Sequence, residues 1–188
     1  MKIRIFLPAV ILGMLICVWG YPASSDELKR IRLMPMQLDT GRPLMHVLKE
    51  RKSTRAFNPK KLPNRVLSNL LWAANGINRP DSDKRTAPSA RNWQEIEIYA
   101  VLPEGVFLYQ PKDHQLEPVV AGDHRAATGR QPFVATAPVN LVLVADTARM
   151  AGATPADRDA YASADAAFVS QNIYLFCAAE GLATVVRG

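Results

Sequence analysis

The segment from Asp159 to Gly188 constrains the fold of this chain more than any other. Between Ala166 and Ala179 only a serine, a glutamine and an asparagine are polar, so a helix there is apolar nearly all the way round. Such a helix must be buried on most faces. The apolar run is shorter than the about 20 residues that a membrane-spanning helix needs. We therefore predict a central helix over residues 160–179, covered by the protein's own sheet and by a second subunit.

The residues around this helix predict where it begins and ends. Asp157, Asp159 and Asp165 lie towards its start, where the helix dipole favours negative charge. Gly181 is well placed to end it, because glycine accepts the left-handed conformation common at helix C-termini. We predict that the preceding residues, 150–159, form a loop.

Length and composition indicate one globular domain. The 188 residues can enclose a real core, and a hydrophobic content of 48% argues against disorder. The formal net charge of +6 is only weak evidence for nucleic acid, because no arginine-rich run is interleaved with aromatic residues. We expect no nucleic-acid partner.

Residues 1–25 have the pattern of a secretory signal peptide. Lys2 and Arg4 form a basic start, residues 5–19 are apolar, and the small residues Ala23 and Ser25 suit cleavage before residue 26. This pattern predicts an exported, periplasmic protein. The alternative is an uncleaved membrane anchor formed by residues 5–19.

Cysteine and histidine give little chemistry. After cleavage only Cys177 remains, so no internal disulfide can form, and its place in the apolar helix favours core packing over a nucleophile. The three histidines lack the spacing of metal ligands, and we expect no metal site.

Before the central helix, the chain divides into a lead-in, two helices and a set of strands. We expect residues 26–43 to be an exposed lead-in and residues 43–51 to form a short helix. A second helix opens at Leu62-Pro63 and ends at Gly76. Polar and apolar residues alternate from residue 95 to residue 100, which predicts a strand.

The later strands are predicted from turn signals and from an apolar run. A turn at residues 103–105 forms a hairpin with a second strand over residues 106–109, and residues 115–120 add a short extended piece. Residues 139–145 are almost continuously apolar, so we predict a central strand covered on both faces.

A cationic segment follows the first helix. Arg51, Lys52, Ser53, Thr54 and Arg55 supply three cations and two hydroxyl groups within five residues. Arginine offers a planar fork to a phosphate and serine adds a directed hydrogen bond, so the segment could bind an anionic group. The alternative is that these cations only compensate the dipole at the helix C-terminus.

A second candidate segment, residues 86–94, precedes the first predicted strand. Its proline, serine, asparagine and glutamine could present amide and hydroxyl groups to a planar heterocycle. The alternative is an ordinary turn that satisfies its own side chains.

Four motifs occur in an order typical of one known family. They are Arg51-x-Ser53-x-Arg55-x-Phe57, Pro88-Ser89-Ala90-x-Asn92-x-Gln94, Ala137-Pro138-Val139 and Gly181-Leu182-Ala183-Thr184. In this order the chain closely resembles the nitroreductase family of FMN-dependent oxidoreductases, and in particular the branch related to thiazoline and oxazoline peptide dehydrogenases. The resemblance covers residues 44–188, which we take as the domain.

The resemblance implies an architecture. It is α+β, a three-layer sandwich with a mostly antiparallel central sheet flanked by helices. It also implies a homodimer with FMN at the subunit interface and NADH or NADPH as the usual electron donor. The sequence stops at Gly188, before the further helix and last strand of such proteins, so we expect the C-terminal strand to be missing.

The resemblance further implies a set of FMN-binding residues. One group matches the positions that hold the phosphate, the ribityl chain and the pyrimidine edge: Arg51, Lys52, Ser53 and Arg55. A second group matches the loop that reaches the flavin from the other subunit: Pro88, Ser89, Ala90 and Asn92. A third group comprises Gln131, as a polar contact, and the loop whose backbone amides face the flavin N5 and O4 edge: Val186, Arg187 and Gly188.

These expectations combine into one leading function. It is an FMN-dependent oxidoreductase that transfers a hydride or two electrons through flavin N5 to a small organic acceptor, without a catalytic side chain of its own. One alternative is a non-catalytic flavin-binding or envelope interaction protein derived from a truncated nitroreductase. Another is a basic structural domain of the cell envelope with no cofactor.

Overall fold

The structure is a computed structural model that describes residues 27–187. The predicted signal peptide, residues 1–25, and the predicted cofactor residue Gly188 lie outside the described residues. Within residues 27–187, no helix combines the length and the apolar character needed to cross a bilayer.

Three α-helices are present in the described residues: α1 Leu44–Glu50, α2 Asn64–Asn75 and α3 Pro155–Ala179. The first two agree with the predicted helices. Pro43 and Pro63 stand at their N-caps, where the missing amide proton of proline costs nothing. Gly76 caps the end of α2 as predicted, with its amide donating to the Trp72 carbonyl oxygen at 2.7 Å.

Helix α3 starts five residues earlier than predicted, so the loop predicted over residues 150–159 is wrong in its second half. Thr154 Oγ1 accepts from the Asp157 amide at 3.1 Å, and the Asp157 carboxylate accepts from the Thr154 amide at 3.4 Å. This is a capping box, with Pro155 in the first turn. Gly181 ends the helix as predicted, with a φ of 68°.

This cap gives a first stability prediction. We expect Thr154→Ala to lower the free energy of unfolding by about 1 kcal/mol, because an orphan amide of the first turn loses its acceptor. Urea denaturation measures the change. The matched control is Thr136→Ala, whose hydroxyl donates only to the Phe133 carbonyl oxygen in an exposed turn. Equal losses in the two variants would contradict a role for the cap.

The described residues contain seven strands, besides five short 3-10 helices in the connecting segments. The strands are β1 Ile31–Arg32, β2 Ile77–Arg79, β3 Lys84–Arg85, β4 Ile96–Leu102, β5 Gly105–Gln110, β6 Gln115–Ala121 and β7 Asn140–Ala145. Five of them form one antiparallel sheet in the order β1-β6-β5-β4-β7, and β2 pairs with β3. The predicted hairpin is confirmed, with Ala100 opposite Phe107 and Val101 opposite Val106.

The lead-in is more closely attached than predicted. Ile31 and Arg32 pair with β6 and form the first edge of the sheet. Further on, the Met34 amide donates to Ser68 Oγ at 2.9 Å, and the Gln37 amide donates to Asn69 Oδ1 at 3.2 Å, which fastens the segment to α2. A strand of two residues is too short to show a periodic pattern in the sequence.

Strand β7 does not lie where the sequence predicted. In the described part of the chain it pairs only with β4 and forms the other edge of the sheet, so the predicted central position is wrong there. Its side chains are mostly half-buried, and Val144 is exposed. The apolar run of β7 therefore forms a surface that the described residues leave partly exposed.

The core lies between one face of the sheet and helices α2 and α3. Leu71 and Ala74 of α2 and Val169 of α3 pack with Ile98 and Phe107 of the sheet. Helix α1 packs against α3. The predicted α+β class with a mostly antiparallel central sheet is confirmed.

The chain alone covers only part of α3. Of its 25 residues only Asp165, Val169 and Cys177 are buried. Tyr161 is 40% exposed and Phe168 is 48% exposed. The burial on most faces that the sequence predicts is therefore not reached within residues 27–187.

Candidate functional site

A large groove runs between α3, the open edge of β7 and two extended segments. Its volume is about 1090 Å³, and its floor includes Leu141 and Leu143 of β7 and Ala166 and Ile173 of α3. Segment 181–187, which follows α3, forms one wall. An apolar cleft of this size, with polar groups at its rim, is a typical ligand site.

Tyr174 joins two of the predicted site segments at the wall of this groove. Its hydroxyl group lies 2.8 Å from Ser53 Oγ and accepts from the Val186 amide at 2.9 Å. The Arg51 guanidinium stands over the same ring, 5.1 Å from its centroid, in a cation–π contact. Close by, the Thr54 amide donates to the Thr184 carbonyl oxygen at 2.8 Å. One side chain of a rigid helix thus holds both segments.

The cations of this site have no counterion in the described structure. Arg51, Lys52 and Arg55 form no ion pair with a carboxylate of residues 27–187, and Lys52 and Arg55 are exposed. The Arg51 amide caps α1 by donating to the Val47 carbonyl oxygen, whereas its guanidinium is directed over Tyr174. Compensation of the α1 dipole alone therefore does not explain where the Arg51 guanidinium lies.

Arg187 and Gln131 lie together at one end of the groove. The Arg187 guanidinium donates to the Thr128 carbonyl oxygen at 2.9 Å and to Thr128 Oγ1 at 3.2 Å. It packs against Gly129, where a side chain of any size would collide with it and with the Gln131 amide group. Thr128 was not among the predicted site residues.

The segment Pro88–Asn92 lies away from this cluster. The Ala90 amide donates to Asp165 Oδ2 at 2.8 Å. Asp165 precedes Tyr174 by nine residues of α3, about 14 Å along the helix axis. One chain therefore does not bring the second predicted group of site residues, 88–92, to the first group at residues 51–55.

The position of Asp165 along α3 differs from the predicted one. It was expected near the helix start, where it would be exposed to the dipole, but it lies in the middle of α3 and is buried against the 88–92 segment. Neither Asp165 nor Tyr174 was recognised as a site residue in the sequence. The available signal was their polarity within an otherwise small and apolar helix.

Cys177 lines the groove but is only 4% exposed. Burial raises the pKa of its thiol to about 11, so the thiolate is scarce at neutral pH. The prediction of core packing rather than a nucleophilic role is consistent with this environment.

Comparisons with known proteins agree with this fold. The model of the nitroreductase family matches residues 48–188. A protein of Methanocaldococcus jannaschii, named as a candidate nitroreductase, is 33% identical over 159 residues, which are 77% of this chain and 78% of that protein.

Solved structures extend the comparison to three dimensions. The crystal structure of a candidate nitroreductase from Ralstonia eutropha is 40% identical and superposes with a TM-score of 0.82, covering 99% of this chain and 83% of that one. The Escherichia coli microcin synthetase complex superposes with a TM-score of 0.57 at 18% identity, over 95% of this chain and 71% of that one, which is a likeness of fold. On the family match and the two closer relatives, this chain belongs to the nitroreductase family, whose members depend on FMN.

Proposed function

We propose that this chain is an FMN-dependent oxidoreductase that holds FMN in the groove beside Tyr174. The observation that carries the proposal is the contact of Arg51 and Ser53, from the cationic segment 51–55, with Tyr174 on the wall of an apolar groove of suitable size. A flavin phosphate needs such cations, and the flavin ring needs apolar walls. The residues present therefore fit the cofactor.

Each predicted group takes a role in this proposal. Arg51, with Lys52, Ser53 and Arg55, binds the phosphate and the ribityl chain. The Val186 amide already donates to the Tyr174 hydroxyl group. The Arg187 amide makes no backbone hydrogen bond within residues 27–187, so it is the better placed donor for the flavin edge. Arg187 lines the end of the groove, and Gln131 lies beside it across Gly129.

When bound, FMN supplies the hydride and electron chemistry, as cofactors of this kind do. The chain's contribution is to orient the flavin, to exclude water with the apolar floor of the groove, and to offer cations and backbone donors that favour the reduced, more negative ring. No side-chain acid or base is required in this scheme.

We propose a homodimer as the functional unit. Within one chain, Ala90 is held at Asp165, about 14 Å along α3 from Tyr174, so we assign the flavin contacts of residues 88–92 to the other subunit, as the resemblance implies. The exposed Tyr161 and Phe168 of α3 supply apolar area for such an interface.

The leader pattern of residues 1–25 supports a periplasmic location, where the physiological electron donor would differ from a cytosolic nicotinamide pool.

Tyr174 gives a prediction specific to this site. We expect Tyr174→Phe to weaken FMN binding about tenfold, because the two hydrogen bonds that position Ser53 and Val186 are lost, each worth about 0.5–1.5 kcal/mol. Flavin fluorescence titration measures the affinity. The control is Tyr99→Phe, whose hydroxyl bonds Glu97 instead. An unchanged affinity in Tyr174→Phe would show that the tyrosine does not organise the site.

Anaerobic reduction tests the enzymatic part of the proposal. Protein loaded with FMN is mixed with NADH, NADPH or dithionite, and the flavin absorbance is followed before an oxidised quinone or nitroaromatic acceptor is added. Bleaching by a nicotinamide and recovery with an acceptor support an oxidoreductase. Bleaching by dithionite alone favours the non-catalytic flavin-binding alternative.

A further inference from the structure

Two buried carboxyl groups accept from adjacent residues of one loop where strand β4 begins beneath helix α3, Glu95 from Ser89 and Asp165 from Ala90. Glu95 is fully buried and Asp165 is only 3% exposed. Glu95 Oε2 accepts from Ser89 Oγ at 3.3 Å, whereas Glu95 Oε1 has no hydrogen-bond partner in the described structure. Two ionised carboxylates in such a place would repel each other and lack solvation, so both cannot be charged at once.

No cation among residues 27–187 pairs with either carboxyl group. The charged and titratable groups on the adjoining elements either contact other residues or lie further along α3 from Asp165. Arg91 stands over the Trp93 ring, and Arg149 bonds Asp146 and Glu97. On α3, Tyr161 packs edge-on against Trp93, and Arg158 lies seven residues before Asp165. The pair is therefore not neutralised by a neighbouring base.

The segment Ser89–Gln94, here called the β4 entry loop, is strained and is held by these carboxyl groups. Arg91, Asn92 and Gln94 have φ angles of 49°, 57° and 51°, a region that residues other than glycine rarely adopt. Such conformations persist only where the surroundings enforce them. Here the Ala90 amide donates to Asp165 Oδ2, and the Gln94 amide donates to Ser89 Oγ at 2.7 Å. Ser89 in turn donates to Glu95.

We propose that Glu95 and Asp165 share one proton, and that this protonated pair positions the β4 entry loop on α3. Glu95 holds the proton and Asp165 stays free to accept from the Ala90 amide. Both residues are positioning residues, because they act on the loop rather than on a substrate. The consequence for flavin binding rests on the proposed function, in which this loop reaches the FMN of the partner subunit.

The direction of the pH effect follows from the environment of Glu95. Burial, with a further contribution from Asp165, raises the pKa of Glu95 above its usual value. The folded protein therefore keeps a proton that the unfolded chain releases above about pH 4.3. Between that pH and the raised pKa, the equilibrium constant for folding falls about tenfold for each pH unit. Ionisation of Glu95 then places two negative charges together and releases the loop.

Trp93 lies within the loop and reports on its position. The emission of Trp93, taken as the difference between the wild type and Trp93→Phe, is followed from about pH 5 to about pH 9 in the full chain without added FMN. We expect a one-proton transition to a red-shifted emission as the pH rises. We expect Glu95→Gln to abolish it, since the amide cannot ionise.

Glu117→Gln is the matched control, because it removes a strand carboxylate that pairs with Arg30 at the sheet edge, and it should keep the transition. A wild type without a transition, or a Glu95→Gln variant that keeps it, would overturn the proposal. If Glu95→Gln does not fold, as judged by circular dichroism, Asp165→Asn is measured instead. It should move the transition to lower pH, because Glu95 keeps its burial but loses the neighbouring carboxylate that helps to raise its pKa. A transition at the same pH as in the wild type would overturn the shared proton.

FMN affinity is measured separately over the same pH range. A Trp93 transition that Glu95→Gln abolishes supports the protonated pair even if FMN does not bind, in which case the proposed function fails alone. A parallel loss of FMN affinity at high pH supports both.

Discussion

Replacing Arg51 by alanine lowers the affinity for FMN by about 10- to 100-fold. Hydrogen bonds to charged groups contribute about 1.5–3 kcal/mol, and about 1.4 kcal/mol corresponds to a factor of ten. The Arg51 guanidinium is held over the Tyr174 ring and pairs with no carboxylate in the described structure, so its charge is available to a phosphate. Equilibrium titration of flavin fluorescence measures the dissociation constant.

Two variants separate the geometry of Arg51 from its charge. Arg51→Lys keeps the charge but loses the planar fork, so its affinity should fall between that of the wild type and that of Arg51→Ala. Arg30→Ala removes the same charge from the far edge of the sheet, where Arg30 pairs with Glu117, and should leave the affinity unchanged. If Arg51→Ala binds FMN as the wild type does, the phosphate does not lie at residues 51–55.

Phe107→Ala lowers the free energy of unfolding by about 3–5 kcal/mol, the usual cost of deleting a buried aromatic ring. Phe107 is 1% exposed, lies within β5 and belongs to the core cluster with Leu71 and Val169. The lost ring leaves a cavity between the sheet and both long helices. Urea denaturation followed by circular dichroism measures the loss.

The matched control is Phe168→Ala, on the exposed side of α3. In the isolated chain it should cost less than about 1 kcal/mol, because little apolar surface leaves the core. If α3 forms the proposed dimer interface, the same variant weakens association, which analytical ultracentrifugation detects. Equal unfolding losses for Phe107→Ala and Phe168→Ala would mean that the core does not lie where the structure puts it.

The sequence predicted the elements whose pattern is local. The alternation around Ile98 marked β4, and Gly76 and Gly181 marked two helix ends, because each depends on the side chains or conformational freedom of a few neighbouring residues. It failed where the outcome depends on distant partners. The edge strand Ile31–Arg32 exists only by pairing with β6, and in the described residues the apolar strand β7 lies at an edge of the sheet rather than in the centre.

The candidate site also combines residues that the sequence predicted with residues that only the packing of distant segments brings together. The Arg51–Arg55 segment was recognised because cations and hydroxyl groups are close in sequence, and its role in binding FMN stays a prediction. Tyr174 lies more than 100 residues later, and only the packing of α3 brings its hydroxyl to Ser53. The pairing of Glu95 and Asp165 on one loop is equally non-local, since it depends on where α3 crosses the start of β4.

The central claim, that the groove beside Tyr174 holds FMN, is tested most directly by gel filtration of the purified chain after incubation with FMN. The account predicts a flavin absorption spectrum that travels with a dimer-sized protein peak, with about one FMN per subunit. It also predicts that Arg51→Ala and Ser53→Ala lose most of this flavin while keeping their circular dichroism spectrum. A folded wild-type protein that elutes without colour would contradict the claim.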